Sequence, residues 1–161
     1  MTPHLRSATA DDATAVADLL IGTRSAFMPY APSAHPEDEV RAWVANRLIP
    51  TGGVFVAELG GRVIGTMATE PGDAMSWITQ MAVAPALVNQ GIGSHLLGHA
   101  MHVLGRPIHL WTFQQNAGAR RFYERHGFFA IEFTDGQGNE ERCPDVLYEL
   151  SRPTSEPTAG T

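Results

Sequence analysis

The 161-residue chain has no lysine, one cysteine and no long apolar run, and each absence excludes a class of protein. A single cysteine, Cys143, cannot form an internal disulfide, and no histidine stands near it in sequence to activate it as a nucleophile. No segment approaches the ~18 uninterrupted apolar residues that a membrane span requires. The segment 1–12 lacks the basic and apolar regions of a secretory signal. We therefore expect a cytoplasmic protein without a membrane anchor.

The balance of charge is acidic: 17 acidic and 11 basic residues, all of the latter arginine, give a net charge of −6. This argues against nonspecific binding to nucleic acid, which requires a basic face, and favours cationic small molecules. The content of 43% hydrophobic and 17% charged residues is typical of a globular chain. The length fits one domain, which we place at residues 1–150. Residues 151–161 are rich in Pro, Ser and Thr, so we expect a disordered tail there.

Hydrophobic periodicity predicts the order βααβββαβαββ along the chain. Gly60 and Gly61 suit a two-residue hairpin turn, and Thr9 and Asp12 have the spacing of a capping box. Because helices join some strands and tight turns join others, we expect a mixed sheet with helices on both faces. The predicted strands are 5–8, 54–59, 63–69, 77–83, 108–113, 128–133 and 146–150; the predicted helices are 10–22, 36–49, 92–104 and 117–125, with a loop at 27–32.

A glycine turn follows the strand predicted at 77–83 and leads into a helix, with the sequence Gly91-Ile92-Gly93-Ser94. Glycines let a ligand approach the backbone, and unpaired amides at a helix N-terminus bind anions such as phosphate. A nucleoside-triphosphatase loop would require Gly-Lys-Ser/Thr, and a dinucleotide fingerprint would require a third glycine where Leu96 stands. The turn therefore indicates a pyrophosphate of another kind, although an ordinary strand-to-helix turn uses glycine for the same steric reason.

A second motif places an amide at the start of the helix predicted at 117–125 and a phenol seven residues later. At 1.5 Å per residue, Asn116 and Tyr123 lie about 10 Å apart along one helix face. The small residues at 117–119 leave room beside that face for a slender ligand. Taken alone, Tyr123 would be interpreted as a core tyrosine of an amphipathic helix.

Together the two motifs resemble those of the GNAT superfamily of acyl-CoA-dependent N-acyltransferases, and the resemblance runs from about residue 5 to residue 150. The phosphate motif Arg/Gln-x-x-Gly-x-Gly/Ala is matched at Gly91 and Gly93, but Val88 stands at its first position. The motif Asn-x-x-Ala-x-x-Phe-Tyr-x-x-x-Gly-Phe is matched throughout 116–128. The segment 135–145 resembles a run found in one bacterial subgroup of the superfamily.

The resemblance implies an α/β fold with a mixed, mostly antiparallel sheet of six to seven strands, helices on both faces and a splayed pair of parallel strands, here 77–83 and 108–113. Acetyl-CoA is the implied co-substrate, with its pantetheine arm between the splayed strands. Because Val88 is apolar, the pyrophosphate would depend on backbone amides, helped by Gln90. The implied cofactor-binding residues are Met81, Ala82, Val83, Asn89, Gln90, Gly91, Ile92, Gly93, Ser94, Asn116, Ala119 and Tyr123.

The resemblance also implies that Tyr123 faces the sulfur of the leaving thiol. A phenol of pKa near 10 can donate a hydrogen bond or a proton to a thiolate of pKa about 8.5, and this contributes about 10²-fold, the low end of general-acid catalysis. The attacking amine must lose a proton, which costs about 4–5 kcal/mol at pH 7 for a group of pKa near 10.4. The base is left open, although Glu141 is our candidate catalytic residue beside Tyr123 and Asn116. The candidates are Glu70, Glu140, Glu141, His35 and His109.

We expect the acceptor amine between the 27–30 loop and the 139–145 segment, since aromatic faces and carboxylates attract an ammonium group. Plain core packing would explain the aromatic residues equally well. The candidate acceptor-binding residues are Phe27, Tyr30, Glu140 and Glu141.

Three histidines, His95, His99 and His102, share one face of the helix predicted at 92–104. No carboxylate or thiolate on that face completes a metal site. We therefore expect a solvated histidine stripe and no bound metal.

The predicted function is transfer of an acetyl group from acetyl-CoA to a primary amine of a small molecule, by direct attack and without a covalent enzyme intermediate. A CoA-binding sensor without turnover is one alternative, favoured by Val88 and by the unidentified base, whereas Asn116 and Tyr123 count against it. A protein or peptide N-acetyltransferase is another alternative. An acyl donor other than acetyl, and a homodimeric state, are left open.

Overall fold

The computed structural model describes residues 2–153, and the tail predicted at 151–161 therefore lies mostly outside the described residues. None of the helices within 2–153 is long and apolar enough to cross a membrane. The strands are β1 (His4–Ser7), β2 (Val54–Leu59), β3 (Arg62–Glu70), β4 (Ser76–Val83), β5 (Ile108–Phe113), β6 (Phe129–Phe133) and β7 (Asp145–Leu150). The helices are α1 (Ala13–Phe27), α2 (Glu37–Trp43), α3 (Ile49–Thr51), α4 (Ile92–Val103) and α5 (Ala117–Arg125), with a π-helical segment at Val44–Leu48.

The seven strands form one sheet in the order β1-β2-β3-β4-β5-β7-β6. All neighbouring strands are antiparallel except β4 and β5, which are parallel. Gly60 and Gly61 form the β2–β3 turn with φ angles of 59° and 78°, as the hairpin prediction requires. The mixed, mostly antiparallel sheet with one parallel pair is confirmed.

Helices cover both faces of the sheet because successive strand residues point to opposite sides. Val56 of β2 is fully buried in a cluster with Val16 of α1. The next residue, Ala57, is fully buried on the opposite face in a cluster with Leu96 of α4. The core therefore consists of two apolar layers, one on each side of the sheet.

Helix α1 extends to Phe27 and does not end near Gly22, where the sequence predicted its end. A glycine costs about 1 kcal/mol relative to alanine within a helix, which is less than the burial of this helix contributes. The Met28 N–H still donates to the Arg24 carbonyl at 2.9 Å. The longer helix takes Phe27 out of the predicted loop and brings Arg24 to the cleft described below.

The second helical region continues past Pro50 as α2, the π-helical segment and α3, instead of ending before the proline. Pro50 has no N–H to bond within a helix, and the wider π-helical turns come directly before it. In the same region, Val44 is fully buried whereas the adjacent Trp43 is 40% exposed.

The entry to α1 follows the predicted capping box. The Asp12 carboxylate accepts a hydrogen bond from the Thr9 N–H at 2.7 Å. It also accepts two from the Arg6 guanidinium, at 2.8 and 2.9 Å, and this pairing lowers the pKa of Asp12. Arg6 donates a further bond to Glu58 of β2 at 2.8 Å. One arginine of β1 therefore ties the start of α1 to the sheet.

Candidate active site

The candidate active-site cleft opens where β4 and β5 diverge. Within the described residues their pairing is limited to Ser76 with Ile108 and Trp77 with His109. Beyond these pairs lies a cleft of about 1130 Å³, bordered by α1, α4, α5 and the β6–β7 connection as well as by the two strands. Its β4 wall includes Met81, Ala82 and Val83.

The glycine turn lies at one end of this cleft. Gly91 has a φ of 87° and precedes α4. The first hydrogen bond within the helix runs from the His95 N–H to the Gly91 carbonyl, so the N–H groups at 92–94 precede it and are available to an anion. Asn89, Gly91, Gly93 and Ser94 line the cleft, and so does Val88.

Two predicted cofactor residues contribute no side chain to the cleft. Gln90 is exposed and is not among the lining residues, so a contact between its side chain and the pyrophosphate stays a prediction. Ile92 is 5% exposed and its side chain packs in the core, which leaves only its main-chain N–H for a ligand.

Helix α5 spans Ala117–Arg125 as predicted and carries the second motif along the opposite wall. Asn116 caps the helix, with its side-chain oxygen accepting from the Ala119 N–H at 3.2 Å. The Asn116 amide nitrogen has two further donors that the cap does not use. Asn116, Ala119 and Tyr123 all line the cleft.

Tyr123 is buried, with 8% of its surface exposed, in an aromatic cluster. Its ring stacks on Phe122 at a centroid distance of 5.2 Å and meets Phe128 edge-on at 5.7 Å. Burial raises the pKa of Tyr123 to about 12 because the phenolate would lose its hydration. The hydroxyl is therefore fully protonated at neutral pH and can act as a donor.

A polar network packs behind this cluster, and the sequence analysis did not identify it. The Tyr148 hydroxyl donates to Glu124 at 2.6 Å and accepts from the Arg120 Nε–H at 3.0 Å. Tyr148 is fully buried, and its ring centroid lies 6.3 Å from that of Tyr123. The network joins β7 to α5 and fixes the helix that carries Tyr123.

The β6–β7 connection forms the third wall of the cleft, and Asn139 holds its shape. The Asn139 side chain donates to the Cys143 carbonyl at 2.7 Å and to Asp145 at 3.1 Å, and it accepts from the Cys143 N–H at 3.1 Å. Glu140 and Glu141 follow directly and line the cleft. Cys143 is buried, and burial together with Asp145 and Glu141 raises the pKa of its thiol. Its thiol is thus kept protonated, in agreement with the interpretation that it is not a nucleophile.

Arg24 is the main cleft residue that the sequence analysis missed. Its Nη1 atom lies 3.3 Å from Glu141 Oε1 and donates to the Ala31 carbonyl at 3.0 Å. The guanidinium also stands 5.5 Å from the ring centroid of Phe113. Arg24 could have been found only by extending the predicted first helix beyond Gly22, where we expected it to end.

Several other candidates lie away from the cleft. Tyr30 packs edge-on against Phe113 at 6.2 Å with its hydroxyl buried and without a hydrogen-bond partner in the described residues, so it stands behind the cleft wall. Among the candidate bases, Glu70 is exposed at the end of β3, and His109 is buried in a 2.8 Å pair with Glu149. His35 is exposed and lies 3.1 Å from Glu140, outside the cleft lining.

The three histidines of α4 do not form one solvated stripe. The His99 ring packs against Phe55 at a centroid distance of 4.7 Å, and its Nε2 atom is buried. His95 and His102 are exposed. Within residues 2–153 no group of three His, Cys, Asp or Glu side chains is arranged to hold a metal ion.

Residues 20–128 match the acetyltransferase (GNAT) family. The chain belongs to this family. The matched residues include the glycine turn and all of α5. Because the chain belongs to the GNAT family, it is an acyltransferase. It ends at residue 128, so the acidic β6–β7 connection lies outside it.

Solved structures share the GNAT fold over nearly the whole chain. Apo YjaB of Escherichia coli has 18% identity and a TM-score of 0.74, with 92% of this chain and 97% of that one covered. PaiA N-acetyltransferase of Thermoplasma acidophilum, in complex with coenzyme A, has 16% identity and a TM-score of 0.71, covering 94% and 100%. Naa50 of Arabidopsis thaliana, in complex with the bisubstrate analogue CoA-Ac-MVNAL, has 18% identity and a TM-score of 0.71, covering 94% and 100%. No curated protein is similar enough in sequence to match.

Proposed function

We propose that this protein transfers the acetyl group of acetyl-CoA to a primary amine of a small molecule by direct nucleophilic attack. The observation that carries the proposal is the single cleft that joins the Gly91–Gly93 turn, Asn116 and the Tyr123 hydroxyl between two diverging strands. A thioester with a long slender arm and a pyrophosphate fits this arrangement. The donor is acetyl-CoA in the first instance, because it is the donor that family membership favours.

The cofactor is held mostly by main-chain groups. The amides at 92–94 take the pyrophosphate at the start of α4, with Asn89 and Ser94 beside it. The pantetheine arm bonds to the main chain of Met81–Val83, and Asn116 donates to the arm from the opposite wall. The small side chain of Ala119 leaves space for the pantetheine arm, and a larger side chain would fill that space.

The reaction forms a C–N bond and breaks the C–S bond of the thioester. The amine nitrogen attacks the carbonyl carbon, a main-chain amide of β4 stabilises the oxyanion, and the thiolate leaves. Proton transfer from a phenol of pKa about 12 to a thiolate of pKa about 8.5 is uphill by about 4–5 kcal/mol. Tyr123 therefore donates a hydrogen bond to the developing thiolate instead of releasing its proton. An acceptor that enters as an ammonium ion yields amide, CoA thiol and one proton.

Glu141 is the residue that binds the ammonium and accepts its proton, directly or through water. Its side chain is 17% exposed, whereas that of Glu140 is 68% exposed and close to His35, so Glu141 is the more enclosed carboxylate. Phe27, at the end of α1, offers an aromatic face to the same cation. Glu140 adds negative charge at the mouth of the cleft.

Thiol release tests the proposal. Purified protein is incubated with acetyl-CoA and a panel of diamines, amino sugars, amino acids and short peptides with free N-termini, and mass spectrometry identifies the products. Peptides are included because Naa50 was solved with a peptide-CoA analogue. Acetylated small amines with matching thiol release support the proposal. Binding of acetyl-CoA without turnover would indicate the sensor function, and turnover of peptides alone would overturn the acceptor class.

A further inference from the structure

We propose that the acceptor is a neutral amino acid in its zwitterionic form, whose carboxylate binds the Arg24 guanidinium while its ammonium group binds Glu141. The inference rests on the proposed function and deepens it by naming the class of amine. Arg24 lines the cleft from α1, and Glu141 lines it from the β6–β7 connection. Among the described residues, Arg24 is the one basic residue that these two walls contribute to the cleft. The expected acceptor site therefore contains a cation beside the carboxylate that would bind the amine.

One edge of the Arg24 guanidinium is free to bind a ligand. Its Nη1 atom donates to the Ala31 carbonyl at 3.0 Å and lies 3.3 Å from Glu141 Oε1. The Nε and Nη2 atoms make no hydrogen bond or ion pair with any residue in the part of the chain that the structure describes. The guanidinium lies 5.5 Å from the ring centroid of Phe113, and 28% of the Arg24 side chain remains exposed. The Nε–Nη2 edge has two parallel N–H donors, which is the arrangement that binds a carboxylate bidentately.

The contact between Arg24 and Glu141 is loose enough for a ligand to replace. Its length of 3.3 Å exceeds the about 2.7–2.9 Å of a charge-assisted hydrogen bond. A simple amine that binds Glu141 would leave the Arg24 cation without its counterion, which is unfavourable in a partly shielded site. An amino acid brings a carboxylate to replace that counterion, so each of the four charges has an opposite neighbour. Because an α-amino acid carries both groups on one carbon atom, its charges are as close together as those of Arg24 and Glu141.

The other acids of this part of the cleft favour a neutral amino acid over an acidic one. Asp145 accepts hydrogen bonds from the Thr134 hydroxyl and from Asn139 Nδ2, the latter at 3.1 Å. Glu140 lies 3.1 Å from His35, and its side chain is 68% exposed. Asp145 and Glu140 both line the cleft. A second carboxylate on the acceptor would be repelled by these acids, whereas a zwitterion has no net charge.

Matched acceptors test the proposed class. Each neutral amino acid is compared with the amine that lacks only its carboxylate, such as phenylalanine with phenethylamine and leucine with isopentylamine. Thiol release is measured at saturating acetyl-CoA. The amino acid should have a kcat/KM at least about tenfold higher, because its carboxylate adds a charge-assisted contact. Equal or better turnover of the simple amines would overturn the inference and leave the proposed function standing, whereas no acetylation of any amine would overturn both.

Substitution of Arg24 distinguishes carboxylate binding from a structural role. Arg24→Gln should raise the KM for the amino acid about tenfold without raising the KM for the matching simple amine, which has no group for Arg24 to bind. Arg24→Lys keeps the charge without the two-donor edge and should raise the amino-acid KM by a smaller factor. Arg41→Gln is the control, since Arg41 pairs with Asp18 outside the cleft lining, and both KM values should stay within about twofold. If Arg24→Gln raises the KM for both acceptors by the same factor, Arg24 acts only by holding the 28–31 loop and the inference is overturned.

Discussion

Arg24 Nη1 lies 3.3 Å from Glu141 Oε1, and this ion pair joins α1 to the β6–β7 connection across the cleft. The two side chains are 28% and 17% exposed, so the pair is partly shielded from solvent. Its consequence is electrostatic: the carboxylate that would attract an ammonium ion already has a cationic partner. In the proposed function, an acceptor amine therefore competes with Arg24 for Glu141.

Substitutions of the two partners should therefore change acceptor binding in opposite directions. Glu141→Gln should raise the KM for a cationic amine about fivefold, because the remaining charge near the amine is that of Arg24, and it should also lower kcat, because it removes the proposed proton acceptor. Arg24→Gln should lower the KM by a similar factor. Steady-state kinetics at saturating acetyl-CoA measures both, and Glu132→Gln, an exposed acid on β6, is the control. If Arg24→Gln and Glu141→Gln change the KM in the same direction, Arg24 and the amine do not compete for Glu141.

The hydroxyl of Tyr123 should affect turnover and not cofactor affinity. Tyr123→Phe should lower kcat about 10²-fold while the Kd for acetyl-CoA stays within a few-fold, since the hydrogen bond to sulfur strengthens only as the thiolate forms. Tyr148→Phe removes the same atom from the neighbouring network. That variant should keep kcat within a few-fold and lose about 1–2 kcal/mol of stability. If Tyr123→Phe and Tyr148→Phe lower kcat by the same factor, Tyr123 contributes to turnover only through packing.

The Arg6–Asp12 pair predicts a specific pH dependence of stability. The pKa of Asp12 is lower in the folded protein than its usual value, chiefly through its bonds to Arg6. Its contribution is therefore complete above the unfolded pKa of about 3.9 and is lost as the pH falls through the folded pKa. In urea unfolding, Asp12→Asn should be less stable than wild type by about 1–2 kcal/mol at pH 7, and the difference should shrink below about pH 4. A constant difference over this range would exclude the pairing as its cause.

Gly136 should be required for the shape of the acidic connection. Its φ is 84°, and a Cβ atom there would lie 2.4 Å from the Cys143 carbonyl carbon. Because main-chain atoms cannot move aside cheaply, Gly136→Ala should cost about 2–3 kcal/mol and raise the acceptor KM. Gly138→Ala is the matched control, since nothing lies within 4 Å of a Cβ at that position. Thermal unfolding of the two variants measures the difference.

Local patterns in the sequence were sufficient to predict most of the fold. The bounds of β2, β5 and α5 agree with the prediction, because alternation, a buried apolar run and a cap with a following glycine are each signals carried by neighbouring residues. The ends of α1 and of the second helical region were wrong. There, tertiary burial and a π-helical adjustment outweighed the local preferences of Gly22 and Pro50.

In the candidate site, too, residues within local motifs could be predicted, whereas residues held by distant partners could not. Short sequence motifs were sufficient to predict Gly91, Asn116 and Tyr123, because each motif lies within one local stretch of the chain. All three residues line the cleft. Arg24 and Tyr148 could not be found, since their partners lie on elements distant in sequence. Tyr30 was predicted to line the acceptor site because an aromatic face can hold an ammonium group, and the sequence does not determine on which side of Phe113 the ring packs.

Because β4 diverges from β5, the acyl donor and the amine acceptor would be recognised by different parts of the cleft. In the proposed function the donor is recognised by main-chain amides and carbonyls of β4, whose spacing is common to any residue in β conformation. The acceptor is recognised by side chains on α1 and on the β6–β7 connection. On that proposal, changes of sequence on α1 and on the β6–β7 connection would alter the choice of amine more than the binding of the thioester. In the proposed function, one cleft therefore combines a donor site built largely from main-chain groups with an acceptor site built from side chains.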